Sequence, residues 1–262
     1  MSLLEFIHDL GDVDRTLTVV NRTETDIVQS MLEELFEGQP VTVTESGSGP
    51  AAEEDRVLVD GGGEGDGGPP VSSSLESIGN AVLFVNSDTY ISGSRSLDEV
   101  ETPEAILKLA DTPFSMVGYP DTRKQKFLLI EISRYIEAKA WQAGTGAIHS
   151  GFQTLSRIND ERGTRQVYDK LASTGLDVHV YGIPNWTPGP DSPLEPHGED
   201  GDEELRRSWF VIFQHPTDPA QDAGLVCYEV GRNEWQGFWT FDHERVDTVL
   251  DYVTTRFHYG SS

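Results

Sequence analysis

The sequence predicts an α/β (α+β) protein, with a C-terminal mixed or antiparallel sheet flanked by helices and a smaller N-terminal β-α-β portion. Three observations predict it. Two strand-like runs, TLTVV and VTVT, flank an amphipathic helical pattern near the N-terminus. Helical periodicity returns over 123–142, 161–173 and 246–257. Four strand-like runs crowd the last third, two of them separated only by GRNE. The chain divides on this reading into a β-α-β portion (1–44), an acidic Gly-rich linker or loop (45–74) and a C-terminal domain (75–262).

Residues 2–10 place Leu3, Leu4, Phe6, Ile7 and Leu10 for a short amphipathic helix. Thr16–Val20 reads as a strand. Asp26 caps a helix with Ile27, Met31, Leu32 and Leu35 on one face and Gly38 as its stop. Val41–Thr44 is a second strand, and the β-α-β order favours parallel pairing with the first. Residues 45–74 centre on GGGEGDGGPP, and only RVLVD among them can bury surface. No Gly-Lys-Ser/Thr follows, so these glycines are not a phosphate loop. The apolar run AVLFV (81–85) reads as a buried strand. A helix begins near Pro103 after Thr102, and Phe114–Gly118 is a short strand. Asp121 or Thr122 caps the longest helix, whose broad apolar stripe (Phe127, Leu128, Ile130, Ile132, Tyr135, Ile136, Trp141) calls for more than one packing neighbour. Ala147–Leu155 is a strand or loop, 161–173 a helix closed by Gly175, and Asp177–Tyr181 an alternating strand. Residues 184–204 form a Pro-rich acidic loop. Strands at 209–213, 225–230 and 235–241 follow, the last two as a hairpin, before a closing helix at 246–257.

Composition narrows the function classes. The chain of 262 residues has 45 acidic and 19 basic side chains, a formal charge of −26. Five lysines stand against 14 arginines. Such a chain repels itself in dilute salt and is screened at high salt, a composition like that of a halophilic archaeal cytoplasmic protein. The lone Cys227 excludes an internal disulfide, which fits a reducing compartment. The N-terminus lacks the pattern of a signal peptide. No run approaches the roughly 20 apolar residues of a spanning helix, so no membrane partner is expected. The anionic field and the lack of a recognition motif argue against nucleic acid.

The charge balance reverses between Asp121 and Lys170, where nine basic residues (Arg123, Lys124, Lys126, Arg134, Lys139, Arg157, Arg162, Arg165, Lys170) outnumber six acids. A cationic segment in an anionic molecule is either tied to the protein's own carboxylates or reserved for an anionic partner. Within it, His149, Gln153, Ser156 and Arg157 surround Gly151, a set able to hold a polar or anionic ligand. The alternative is that Gln153 and Arg157 stitch this loop to the fold, Arg157 pairing with Glu131, Glu137 or Asp160. Aromatics concentrate downstream: Tyr181, Trp186, Trp209, Trp235, Phe238, Trp239 and Phe241. They form a core, or the apolar wall of a pocket to which Tyr181, Trp186 and Trp239 contribute. The seven histidines follow no metal-ligand spacing, Gly144-x-Gly146 fails as a dinucleotide fingerprint, and no G-x-S-x-G elbow occurs. No catalytic set, metal set or cofactor is therefore assigned.

At GFQTLSR (151–157), the Tyr168 helix, DVHVYGIP (177–184) and WQGFWTFD (235–242), the chain resembles the DICT sensory domain, over about residues 100–257. The residues carrying the resemblance are Gly151, Phe152, Gln153, Ser156, Arg157, Tyr168, Gly182, Trp239 and Phe241. It implies a non-catalytic, sensory role in signal transduction, including light-related signalling. No output module follows residue 257, so a stand-alone haloarchaeal member would act through a signalling partner protein, binding a small molecule or that partner through the 149–157 loop and nearby aromatic strands. The rival readings are an enzyme acting on an anionic small molecule at 149–157 and a ligand-free interaction module.

Overall fold

The computed structural model describes residues 1–11, 13–23, 26–47, 55–59, 71–83, 96–117, 124–160 and 162–257. The fold is mixed α/β, with a four-stranded and a seven-stranded sheet. The glycine-rich centre at 60–70, the proposed caps Asp121 and Thr122, and Phe84, Val85 and Gly118 lie outside the described residues.

Helix α1 (Leu3–His8) opens with a capping box between Ser2 and Glu5. Strand β1 (Arg15–Val20), helix α2 (Asp26–Phe36) and strand β2 (Val41–Ser46) follow, and β1 and β2 pair in parallel as expected. Helix α2 is rotated from its predicted face: Val28, Leu32, Leu35 and Phe36 are buried, whereas Ile27 is exposed. Within 45–74, RVLV forms β3 (Arg56–Val59) and VSSS forms β4 (Val71–Ser74), giving the sheet order β2-β1-β3-β4. Val57 and Val59 are fully buried, so this part of the stretch is structural.

Ala81–Leu83, the described part of AVLFV, is not a strand. After the short α3 (Leu75–Ile78), Gly79–Leu83 continues as a π-helical turn with Ala81, Val82 and Leu83 buried. An unbroken apolar run does not by itself tell a buried strand from a buried helix. A 3-10 turn (Leu97–Glu99) and α4 (Glu104–Leu107) lead to strand β5 (Phe114–Val117). The long helix α5 (Lys124–Ala143) packs on β6, β9 and β10 and, elsewhere, on α2 and the π-helical turn, which accounts for its broad apolar stripe.

Strand β6 (Thr145–Thr154), α6 (Arg157–Asp160), α7 (Arg162–Ala172) and β7 (Gly175–Ile183) come next. The stretch expected to be loop, 184–204, instead contains β8 (Leu194–His197) and α8 (Glu203–Arg206). Strand β8 is held by parallel pairing to β7, which sequence periodicity does not register. Strands β9 (Ser208–Gln214), β10 (Ala223–Gly231) and β11 (Glu234–Thr240) and helix α9 (His243–Phe257) close the fold, with β10 and β11 a hairpin.

The second sheet runs β5-β11-β10-β9-β6-β7-β8, mixed because β6, β7 and β8 are mutually parallel. One face joins the N-terminal sheet in a shared core with α5 and α7, through Val211, Leu225 and Trp239. The other packs Tyr181, Phe210, Ile212, Val226 and Phe238 against α1, α8 and α9. The edge strands are distinctive. The Gln39 amide donates to the Ser115 carbonyl and accepts from its N–H, both at 2.8 Å, mimicking a strand alongside β5. At the other edge, β8 contains Pro196.

Candidate functional site

Alternation along a strand decides which of the predicted residues meet. His149 lies opposite Ile212 on β9 and His179 on β7, and Tyr181 lies opposite Gly151 and His197. Side chains two apart on a strand share a face, so His149, His179, Tyr181, Glu195 and His197 line one face at the β8 end of the sheet. Ser150 and Trp239 belong to a register row that reaches the opposite face through Leu225 and Val211.

The cluster is built from ring contacts. His149 is buried, its Nδ1 2.9 Å from the Tyr181 hydroxyl. Its ring stacks on His179 at 4.4 Å between centroids, and Tyr181 stacks on His197 at 4.8 Å. His179 Nδ1 lies 3.0 Å from His197 Nε2 and 3.2 Å from a Glu195 carboxylate oxygen. Burial, and secondarily the Glu195 charge, hold the Tyr181 phenol above its ordinary range, so it stays protonated and able to donate to His149. Sequence reasoning named His149 and Tyr181 but missed His179, Glu195 and His197, because their proximity depends on the β7–β8 register. The available signals were DVHVY, which puts His179 and Tyr181 on one face, and Glu195-Pro196-His197, which does the same on β8.

Gly151 has a steric reason. A Cβ there would fall 2.4 Å from the Phe210 ring, which packs beside Tyr181 at 5.5 Å. Just beyond, the β6–β7 register shifts between Gly151 and Thr154, and Gln153 takes a left-handed φ of 60°. Phe152, just before this bulge, follows the ordinary alternation to the Ser150 face, where it meets Tyr168 edge-on at 5.0 Å. Gln153 and Ser156 are half-buried and Arg157 is exposed, at the end of β6. Asn185 links this end to the segment carrying Trp186, accepting from the Ser156 N–H (2.8 Å) and donating to its hydroxyl (3.0 Å). Trp186 is half-buried against the main core.

Trp239 does not join them. It is fully buried, stacked on Phe114 at 4.8 Å, and β11 stands three strands from β6, roughly 14 Å at ordinary strand spacing. A single pocket with Arg157 at its rim and Trp239 in its floor is therefore not formed. A shallow cleft of about 330 Å³ lies elsewhere, lined by Gln39, Ser115, Gln125, Trp235 and Gln236 among others.

Part of the cationic segment is tied to the protein itself. Arg134 pairs with buried Glu137 at 2.6 Å, and Tyr168 donates to the same carboxylate at 3.1 Å. Lys170 meets Asp98 at 3.0 Å and lies over Trp141, while Lys139 donates to the Ala220 carbonyl and lies over Phe241. Arg157 forms no ion pair among the described residues, and Asp160 accepts from Ser156 instead. Cys227 is fully buried, and burial raises its thiol far above the reactive range. Among the described residues no helix is long and apolar enough to cross a membrane.

No curated protein matches the sequence. Among solved structures, the chain is similar to polyphosphate kinase from Porphyromonas gingivalis at 12% identity and a TM-score of 0.35. That likeness covers 99% of this chain and 49% of the other, so the chain spans about half its length, and at that TM-score nothing about activity follows. The family comparison falls on the residues just described: residues 108–230, from the end of α4 to β10 and including the His149–Tyr181 cluster, match the DICT family, the sensory domain in diguanylate cyclases and two-component systems.

Proposed function

We propose that this chain is a non-enzymatic sensor or adaptor in signal transduction, cytoplasmic and of haloarchaeal type, which passes its state to a signalling partner protein. The observation that carries the reading is the match of residues 108–230 to a sensory domain. That segment supplies six of the seven strands of the larger sheet, all but β11. The charge of −26 and the shortage of lysine support a protein that works in high salt. Ligand contact is proposed at the end of β6, through Gln153, Ser156 and Arg157 with Trp186 nearby; His149 lies further back in β6 and Tyr181 in the adjoining β7. Arg157 is the exposed cation there, suited to an anionic or aromatic carboxylate ligand.

The test is a tryptophan-fluorescence titration with inorganic phosphate, nucleotides and aromatic carboxylates. A saturable response is expected, and Arg157→Ala should abolish it while leaving the melting temperature unchanged. Recovery of the responding compound intact after long incubation separates a sensor from an enzyme; turnover would overturn the reading. A large stability loss in Arg157→Ala would assign that residue to the fold rather than to a ligand.

A further inference from the structure

We propose that His179, Glu195 and His197 form a binding site for one divalent transition-metal ion of the zinc type. The site is independent of the sensor reading and stands or falls separately from it.

Three ligand atoms, two imidazole nitrogens and a carboxylate oxygen, all lie within 4.8 Å of one another. His179 Nδ1 is 3.0 Å from His197 Nε2 and 3.2 Å from Glu195 Oε2. Ligands at about 2.0–2.1 Å from a tetrahedral zinc ion stand roughly 3.3 Å apart, so these separations fit a shared cation with small adjustment. A hydrogen-bond account has one ring nitrogen, with one proton or one lone pair, serving two partners at once. A cation between the three atoms would give each of them one partner.

The sheet explains why these residues converge. Glu195 and His197 are two apart on β8 and share a face, while His179 lies directly across from Glu195 in the parallel register. The supporting shell is already in place. His149 stacks on His179, Tyr181 stacks on His197, and His149 and Tyr181 are hydrogen-bonded to each other, so both imidazoles are held in orientation before an ion arrives. The side-chain exposure of 14% for His179 and 58% for Glu195 gives a path from solvent and room for water at a fourth position. Two imidazoles with one carboxylate favour the zinc, copper, nickel or iron class over magnesium or calcium, which prefer oxygen ligands.

The experiment uses the full chain, stripped of metal and titrated with Zn²⁺ and with Co²⁺ as a spectroscopic probe. We expect one saturable site per chain, visible cobalt d–d absorption with imidazole ligation, and a higher melting temperature when loaded. A large excess of Mg²⁺ should not displace the ion, which separates the site from the acidic surface. Glu195→Gln, at a mostly exposed position, and His197→Asn should each remove the saturable class; His215→Asn should leave it intact. If His197→Asn fails to fold, Glu195→Gln decides. Zinc binding unchanged in Glu195→Gln or in a folded His197→Asn, or only weak binding that Mg²⁺ competes away, would overturn the proposal.

Discussion

The buried trio Arg134, Glu137 and Tyr168 should contribute more to stability than any surface ion pair, and should do so in any salt. Arg134 and Glu137 are one helical turn apart on α5, with side-chain exposures of 12% and 4%, and the fully buried Tyr168 of α7 donates to Glu137. Glu137→Ala would take one carboxylate from the part-buried Arg134 guanidinium and the Glu137 acceptor from the buried Tyr168 hydroxyl, a loss of about 3–5 kcal/mol. Tyr168→Phe removes one hydrogen bond to a charged group while Arg134 still holds the carboxylate, a loss of about 1.5–3 kcal/mol. In the Glu137→Ala background, Tyr168→Phe should cost much less, because its acceptor is already gone. Urea unfolding reads these as shifts in midpoint at constant m-value. The experiment should be run at about 0.1 M and about 1 M salt, where the Debye length falls from about 10 Å to about 3 Å. The buried trio should keep its value, whereas the Arg165–Asp169 pair, with side-chain exposures of 61% and 69%, should contribute about 1 kcal/mol or less and fade. A Glu137→Ala cost below about 1 kcal/mol, or one that vanishes in molar salt, would refute the reasoning.

Two further outcomes are expected. The melting temperature of the whole chain should rise between about 0.1 M and 1 M salt, because screening relieves repulsion among the excess carboxylates; a flat series of thermal melts would reject the high-salt reading. The hydrogen bond that His243 Nδ1 donates to the Asp222 carboxylate, 2.6 Å away, holds His243 above the ordinary histidine range. The folded chain therefore keeps that proton to higher pH than the unfolded chain. Its stabilisation is fully present below about pH 6.5 and lost as pH rises through the folded value. Asp222→Asn should flatten this part of the stability–pH curve, and an NMR titration placing His243 at or below the ordinary range would contradict it.

Much of this architecture was legible in the sequence because the elements involved carry their own periodicity. The parallel β1–β2 pair, the long α5, the alternating DVHVY strand and the β10–β11 hairpin all follow from local patterns. What was missed depended on partners. LEPH has almost no apolar alternation, and β8 exists because β7 offers it an edge. AVLFV is uniformly apolar, so burial alone left strand and helix undecided. In α2, the placement of Phe36 and Val28 against the core turned Ile27 outward, a phase that only packing settles. The site shows the same division. His149 and Tyr181 could be singled out from residue type and setting, but their contact, and the approach of His179 to Glu195 and His197, is fixed by strand register. Trp239 was indistinguishable in sequence from a pocket-lining tryptophan until its row in the sheet was known.

The two ends of the seven-stranded sheet bear on whether copies of this protein can add to one another. Strand edges are templates on which other chains can add. In dilute salt a charge of −26 keeps molecules apart, but molar salt removes that long-range repulsion and leaves short-range geometry as the safeguard. Gln39 occupies the backbone donor and acceptor of Ser115 at one edge, and Pro196 withholds an N–H at the other. Both margins of the sheet thus resist sheet-to-sheet growth under the conditions where charge no longer prevents it.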